Sequence, residues 1–277
     1  MEEVAIRERL VQSYTGYYRD MLGLPDWSYH VNKRVQLSYE THVAKRLADL
    51  VGDLTSKVIF DVGCGWGGTI VAIKRIFPDA VVFGLEPDWD RLELASKTAK
   101  FIPFAAVGER IPLPDNSVDV IYAYQVLEHV DSPREVVFEI LRVLKPGGYF
   151  HTMLPNYCKF FEPHYKVFWI PFMPKWLAKV YLRLINRQTS FVNAFFYTTP
   201  WQIRRLFDPR ECVYRDLIQE DLDTKMQNLL QSNGNMLNQS RMAKLLKYLP
   251  YVLVKIILVG YRYLKIGRQE YLVRKHL

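Results

Sequence analysis

The segment Val58-Ile-Phe-Asp-Val-Gly-Cys-Gly-Trp-Gly-Gly-Thr69 carries a β-branched run straight into a turn with four glycines. Glycine belongs where a backbone must turn sharply and let a ligand come closer than a Cβ permits. Gly63, Gly65 and Gly68 also satisfy G-x-G-x-x-G, the spacing of a dinucleotide-binding turn. Two acids bear on what such a turn would hold. Asp61, two residues before the first glycine, would repel a pyrophosphate and suits a cationic, amino-acid-bearing ligand. Glu86 ends the second β-like run, where one carboxylate can accept from both hydroxyls of a ribose.

These residues need a frame, and residues 57–150 supply its pattern. Short β-branched runs at 58–62, 80–85, 102–106, 118–124 and 149–154 alternate with helical stretches. Strands and helices alternating at this spacing predict βαβ units and a parallel sheet covered on both faces. Pro78 closes the helix after the first strand, and Lys145-Pro-Gly-Gly148 is expected to turn the chain into the fifth. Upstream, Val31, Val35, Tyr39, Val43 and Leu47 recur every four residues before Gly52, as in one amphipathic helix. The division expected is a helical cap at 1–56, a cofactor-binding core at 57–154, and an aromatic basic lid at 155–201. The end of the core sheet follows at 202–224, read as a strand pair, then a linker and basic amphipathic tail at 225–277.

Five motifs follow one another in order: D-x-G-C-G-x-G at 61–67, Gly84-Leu-Glu-Pro87, Ile111-Pro-Leu-Pro-Asp-Asn-Ser-Val-Asp119, Val126-Leu-Glu-His-Val130 and Arg142-Val-Leu-Lys-Pro-Gly-Gly148. As an ordered set this resembles the class I S-adenosylmethionine-dependent methyltransferases, in particular the ubiquinone and menaquinone biosynthesis type. The resemblance covers about residues 57–154. It implies a Rossmann-like, doubly wound α/β fold with a seven-stranded sheet, with S-adenosylmethionine across the carboxyl ends of its central strands. It also implies cofactor contacts at Asp61, Gly63, Cys64, Gly65, Gly67, Glu86, Pro87, Gly108, Glu109 and Tyr124. The family often has an Asp against the adenine amino group where this chain has Val107, so Gly108 and Glu109 are expected to take over adenine recognition. A nicotinamide-dependent oxidoreductase using the same glycines, and a non-catalytic cofactor-binding membrane protein, are the alternatives.

Methyl transfer is an in-line displacement in which the protein supplies alignment, desolvation and removal of a proton. His129 after the fourth strand, His151 on the fifth and His164 in Phe161-Glu-Pro-His-Tyr165 are the candidate bases. His164 leads, because the aromatic residues around it could exclude water and hold it near neutrality. Glu128, His129 and Glu162 could cluster in space, but no ligand spacing demands a metal and methyl transfer requires none, so no metal is expected.

Charge is distributed unevenly. Residues 1–150 carry 17 Lys/Arg and 21 Asp/Glu, whereas residues 225–277 carry ten and one. Residues 149–201 hold 16 of the 39 aromatics. Lys175, Lys179, Arg183 and Arg187 repeat every fourth residue beside Trp176, Leu177, Val180, Tyr181 and Leu184, and Arg241, Lys244, Lys247, Lys255, Arg262 and Lys265 repeat the theme in the tail. Basic amphipathic helices of this kind predict an anionic membrane surface as partner or, for the tail, a helix packing on the core with a solvated basic face. With no run of apolar residues long enough to span a bilayer, and three unpaired cysteines (Cys64, Cys158, Cys212), a cytoplasmic protein peripheral to a membrane is expected. The acceptor is then a small or lipid-linked molecule, with oxygen the preferred atom for methylation and carbon the second. Strand four runs into Tyr122-Ala-Tyr-Gln125, which lacks the Asn/Asp-Pro-Pro-aromatic element that amino-methylating base methyltransferases resemble, and this sets a nucleic-acid acceptor aside.

Overall fold

The computed structural model describes residue 8 and residues 11–12, 14–35, 38–98, 100–231 and 268–277. Strands β1 (Val58–Val62), β2 (Val81–Leu85), β3 (Ile102–Phe104), β4 (Val118–Tyr124) and β5 (Leu144–Pro155) run parallel. Strands β8 (Cys212–Asp216) and β9 (Arg268–Lys275) complete a seven-stranded sheet of order β3-β2-β1-β4-β5-β9-β8, with β9 antiparallel to both neighbours. A separate hairpin joins β6 (Phe161–Glu162) to β7 (Val167–Phe168). Parallel strands covered on both faces read as continuous apolar runs, and β1 follows suit with Ile59, Phe60 and Val62 fully buried. Because β1 lies between β2 and β4, the crossovers diverge on either side of it and open a crevice at its carboxyl end.

Helices α1 (Trp27–Val35) and α2 (Ser38–Val51) precede the sheet; α3 (Gly68–Ile76), α4 (Trp89–Thr98) and α5 (Pro133–Val143) connect its parallel strands. Ser132 caps α5 by accepting from the Glu135 N–H at 3.3 Å, Pro133 starts it, and Val136, Val137, Ile140 and Leu141 turn one stripe onto the sheet. Beyond β5 come α6 (Lys175–Leu184), a 3₁₀ turn (Ser190–Ala194), α7 (Pro200–Arg204) and α8 (Leu217–Gln231). A second core joins the cap to the lid: Tyr14, Tyr18 and Leu22 pack with Tyr157, Trp169, Leu182 and Phe195.

Several expectations need correction. The stripe from Val31 to Leu47 belongs to two helices, α1 and α2, with residues 36–37 between them outside the described ones. Lys145-Pro-Gly-Gly148 lies inside β5, which enters the sheet through a register shift opposite Val118 and Val120. Residues 202–224 contribute one strand, not two. Its mate is β9, from the segment expected to be a helical tail, and residues 225–231, expected as linker, continue α8. Five successive residues of β9, Gln269 to Val273, are buried, which an exposed amphipathic tail would not be. The remaining basic tail positions, Arg241 to Lys265, lie outside the described residues.

On α6 the basic stripe is divided. Lys175 turns inward, its ammonium 3.8 Å from the centre of the Phe195 ring and donating to the carbonyls of Val192 and Phe195, while burial lowers it to about 8. Trp176, Val180 and Leu184 face outward, exposed by 69%, 43% and 81%. Among the described residues no helix is long and apolar enough to cross a membrane.

Candidate functional site

The glycine turn is clamped to the end of β2: the N–H groups of Gly63 and Cys64 both donate to the Leu85 carbonyl, at 2.8 and 2.9 Å. Gly63 has φ +76°, and a Cβ there would stand 2.5 Å from a methyl of Val126, so the position excludes other residues on both counts. Gly67, expected to touch the cofactor, is required to be glycine by packing. Its φ is +73° and a Cβ would stand 2.9 Å from that of Ala95 on α4, while the ligand-facing cavities are lined by Gly63, Gly65 and Gly68.

Glu86, 6% exposed, accepts from Gly65 N–H at 3.0 Å on one oxygen and from Asp88 N–H at 3.2 Å on the other. Burial raises its pKa, and the backbone donors work against that. Each carboxylate oxygen has a second acceptor site, so the group is rigidly placed and still able to accept from a pair of hydroxyls. Asp61 is buried, with the Tyr122 hydroxyl donating to it at 2.7 Å. Burial drives its carboxyl up to about 8, opposed by the Tyr122 bond and aided by the charge of Glu86. Asp61 is therefore mostly neutral at pH 7 in the free protein. An ammonium seated against it favours the ionised form, so binding of an amino-acid-bearing cation is expected to release a proton. Fewer protons are bound in the complex, and affinity then rises with pH below 8, by at most about tenfold per unit. Calorimetry in buffers of different ionisation enthalpy measures that proton, and Asp61→Asn should eliminate its release.

Two adjoining cavities meet at this turn and share Gly63, Gly65, Arg91, Gln125 and His129. One is lined by Glu86, Pro87, Val107, Gly108, Glu109 and Asp131, the composition a ribose and adenine would meet. Glu109 also accepts from the Ser132 N–H at 3.2 Å. The other extends from Asp61, Cys64 and Tyr124 to Tyr14, Tyr17 and Tyr18 of the cap and Phe191 of the lid. Trp66 in the glycine turn closes on the cap, 4.4 Å from the Tyr14 ring, and the Arg91 guanidinium lies 5.0 Å from the Trp66 ring centre. Between the cavities Gln125 takes φ +57°, a left-handed conformation costly for a residue with a Cβ, and donates its N–H to Met153 at 2.7 Å.

Of the three histidines, His129 and His164 line the aromatic cavity and lie ring to ring at 5.4 Å. His164 Nδ1 donates to Glu162 at 2.7 Å, and the same buried carboxylate accepts from the Tyr165 N–H at 2.6 Å. His129 Nδ1 donates to the Ala194 carbonyl at 2.6 Å, which ties the loop after β4 to the lid. Burial lowers His129 to about 4, so it is neutral near pH 7. His151 is not brought to the cavity. It is 2% exposed between β4 and β9, accepting from the Tyr124 hydroxyl at 2.5 Å and donating to Glu270 at 3.1 Å, so both nitrogens are spent and it is corrected from candidate base to support for Tyr124. Burial raises Glu270, but His151 and Arg46 outweigh it and hold that carboxyl down at about 2.

Arg91, Trp66, Asp131 and the caps Tyr14, Tyr17 and Tyr18 escaped sequence reasoning, because each comes from an element whose own pattern explains it as helix, turn or core. Glu162 and Glu128 carried a signal, an acid one or two residues from a histidine.

Fold and site together describe a class I cofactor-binding domain, with a carboxylate at each end of the glycine turn and a lidded chamber beside it. Residues 60–152 match the family described as Methyltransferase domain. A malonyl-[acyl-carrier protein] O-methyltransferase of Xylella fastidiosa is 32% identical over 125 residues, 44% of this chain and 42% of the relative. A sterol 24-C-methyltransferase of Aspergillus fumigatus is 36% identical over 111 residues, 38% of this chain and 29% of the relative. The chain thus spans less than half the length of either curated relative. Over 98% of both chains, the structure superposes on geranyl diphosphate C-methyltransferase of Streptomyces coelicolor A3(2), solved in complex with Mg2+, geranyl diphosphate and S-adenosyl-L-homocysteine, with a TM-score of 0.51 and 17% identity, which shows the shared fold. Residues 60–152 thus carry a class I S-adenosylmethionine-dependent methyltransferase domain. The nicotinamide alternative falls with that match.

Proposed function

We propose that this chain transfers the methyl group of S-adenosylmethionine to an oxygen of an amphipathic small molecule, a lipid, quinone or lipid-linked sugar, presented at a membrane surface. The observation that carries the reading is the chamber walled by Tyr14, Tyr17, Tyr18 and Phe191, which opens directly from the cofactor turn and presents His129 and His164 beside those rings. S-adenosylmethionine, when bound, supplies an electrophilic methyl. Asp61 and the turn from Gly63 to Gly65 would hold its amino-acid end, and Glu86 its ribose. The aromatic walls exclude water from the reacting centre. His164, held by its hydrogen bond to Glu162, would meet the acceptor oxygen and take its proton.

An apolar body for the acceptor is supported by the outward-facing Trp176 and Leu184, and by Phe168 and Phe172, exposed by 60% and 48%. Exposed apolar side chains of this kind, two of them on the helix that carries Lys179 and Arg183, fit the interface of a bilayer. The sterol methyltransferase among the relatives supports an apolar acceptor, with carbon as the second choice of atom. The malonyl-[acyl-carrier protein] O-methyltransferase supports oxygen.

Incubation with deuteromethyl-labelled S-adenosylmethionine and a whole-cell extract, partitioned between organic and aqueous phases and read by mass spectrometry, tests this. Label is expected in the organic phase. Label confined to the aqueous phase, or none in either, overturns the proposed acceptor class.

A further inference from the structure

We propose that Glu128, His129 and His164 form a binding site for one divalent transition-metal cation of the zinc class, on the wall of the chamber beside the cofactor turn. One ligand atom from each of the three lies within 4.8 Å of the other two. Glu128 is fully buried, and neither of its carboxylate oxygens has a hydrogen-bond partner among the described residues. A buried carboxylate left in that state costs several kcal/mol unless a charge compensates it. A cation shared with two imidazoles would.

The histidines are prepared as ligands. A carbonyl and a carboxylate can only accept, so the bonds to Ala194 and Glu162 place the proton of each neutral ring on Nδ1 and leave the lone pair on Nε2. His129 Nε2 lies 3.9 Å from a Glu128 oxygen. Metal-ligating histidines characteristically donate their other N–H to such a carbonyl or carboxylate, which fixes the tautomer and ring orientation. Two imidazoles and one carboxylate suit zinc and its first-row neighbours, whereas magnesium and calcium prefer oxygen donors throughout. Three protein ligands leave a position open, and His129 borders both cavities.

The role of the cation rests on the methyl-transfer reading. An acceptor hydroxyl in the open position would have its pKa lowered and lose its proton to solvent. Its oxygen lone pair would then form the O–CH3 bond as the C–S bond breaks, the bonding pair staying on sulfur to give the neutral thioether. His164 then acts as a ligand, and the cation replaces it as the means of removing the proton.

The full chain, stripped with chelator and dialysed, would be titrated with ZnCl2 against a chromophoric indicator and separately with CoCl2 by visible absorption. One equivalent of zinc is expected, with cobalt bands of nitrogen and oxygen ligation. Glu128→Gln and His164→Gln should each weaken zinc at least about tenfold, and Glu162→Ala, which removes an outer partner, by about tenfold or more. Glu128→Gln is near-isosteric and its folding is verified by circular dichroism; the cobalt spectrum of the parent chain gives a readout independent of any variant. The site is overturned if the parent chain shows no saturable one-to-one zinc binding, or if Glu128→Gln and His164→Gln bind zinc as the parent does. S-adenosylmethionine affinity, measured by calorimetry on the same preparations, separates the two readings. Cofactor bound without zinc retires the metal site alone, and zinc bound without cofactor retires methyl transfer and leaves the site standing.

Discussion

A chain ending at Gly267 is expected to lose its cooperative fold and, with it, all cofactor binding. The ten residues removed contain β9, which pairs with β5 from Arg268 to Arg274 on one side and with β8 from Tyr271 to Lys275 on the other. Its Tyr271, Leu272 and Val273 are at most 3% exposed. Full burial of such side chains contributes about 1.5–3 kcal/mol each, and β8 loses its only sheet neighbour among the described strands. Against a typical net stability of about 5–15 kcal/mol, that sum leaves little or nothing. A graded test is Tyr271→Ala. Its ring packs against Phe207 at 5.6 Å and Tyr214 at 6.2 Å, and its hydroxyl donates to the Pro200 carbonyl at 3.3 Å, so a loss of about 3–5 kcal/mol is expected. Urea unfolding followed by circular dichroism measures both. A truncated chain that still melts cooperatively and binds S-adenosylmethionine would remove β9 from the core.

Replacing Glu86 by alanine is expected to weaken S-adenosylmethionine about 100-fold with little change in the melting temperature. A carboxylate accepting from two hydroxyls makes charge-assisted bonds worth about 1.5–3 kcal/mol each, and part of that gain is lost with the Gly65 N–H left to water. The group is held for this task by Gly65 and Asp88, both of which donate to it from the backbone. Glu86→Gln keeps one acceptor oxygen and should fall between the two. Calorimetric affinities for the three proteins decide it, and an alanine variant that binds as the parent does would remove the ribose assignment.

The parallel half of the sheet could be read from local pattern because each strand there is a β-branched run with a helix following it. Val58–Val62 and Val118–Tyr124 fall at the expected residues for this reason. The closing strand could not. Arg268–Lys275 bears charge at both ends and a glutamate within, and its mate Cys212–Asp216 is separated from it by residues 217–267, so only tertiary pairing makes it a strand. The cofactor end of the site was legible for a similar reason: Asp61, Gly63 and Glu86 lie on one continuous β–turn–α stretch or at the end of the neighbouring strand. The acceptor end depends on chain segments far apart, bringing Tyr14 to Trp66 and Ala194 to His129, and no spacing within one segment encodes such meetings. His151 shows the opposite failure. Its position on a strand beside the crevice is right, but the acid that occupies its second nitrogen arrives from residue 270.

The placement of β9 also sets an order of events during synthesis. Translation delivers the five parallel strands and their helices first, and β8 after them, yet the strand that belongs between β5 and β8 follows both in the sequence. Until β9 emerges from the exit tunnel, the growing polypeptide carries a half-built sheet with the outer side of β5 bare, a surface open to chaperones and to mispairing with neighbouring nascent chains. Emergence of β9, rather than of the glycine turn, is the moment at which this sheet closes.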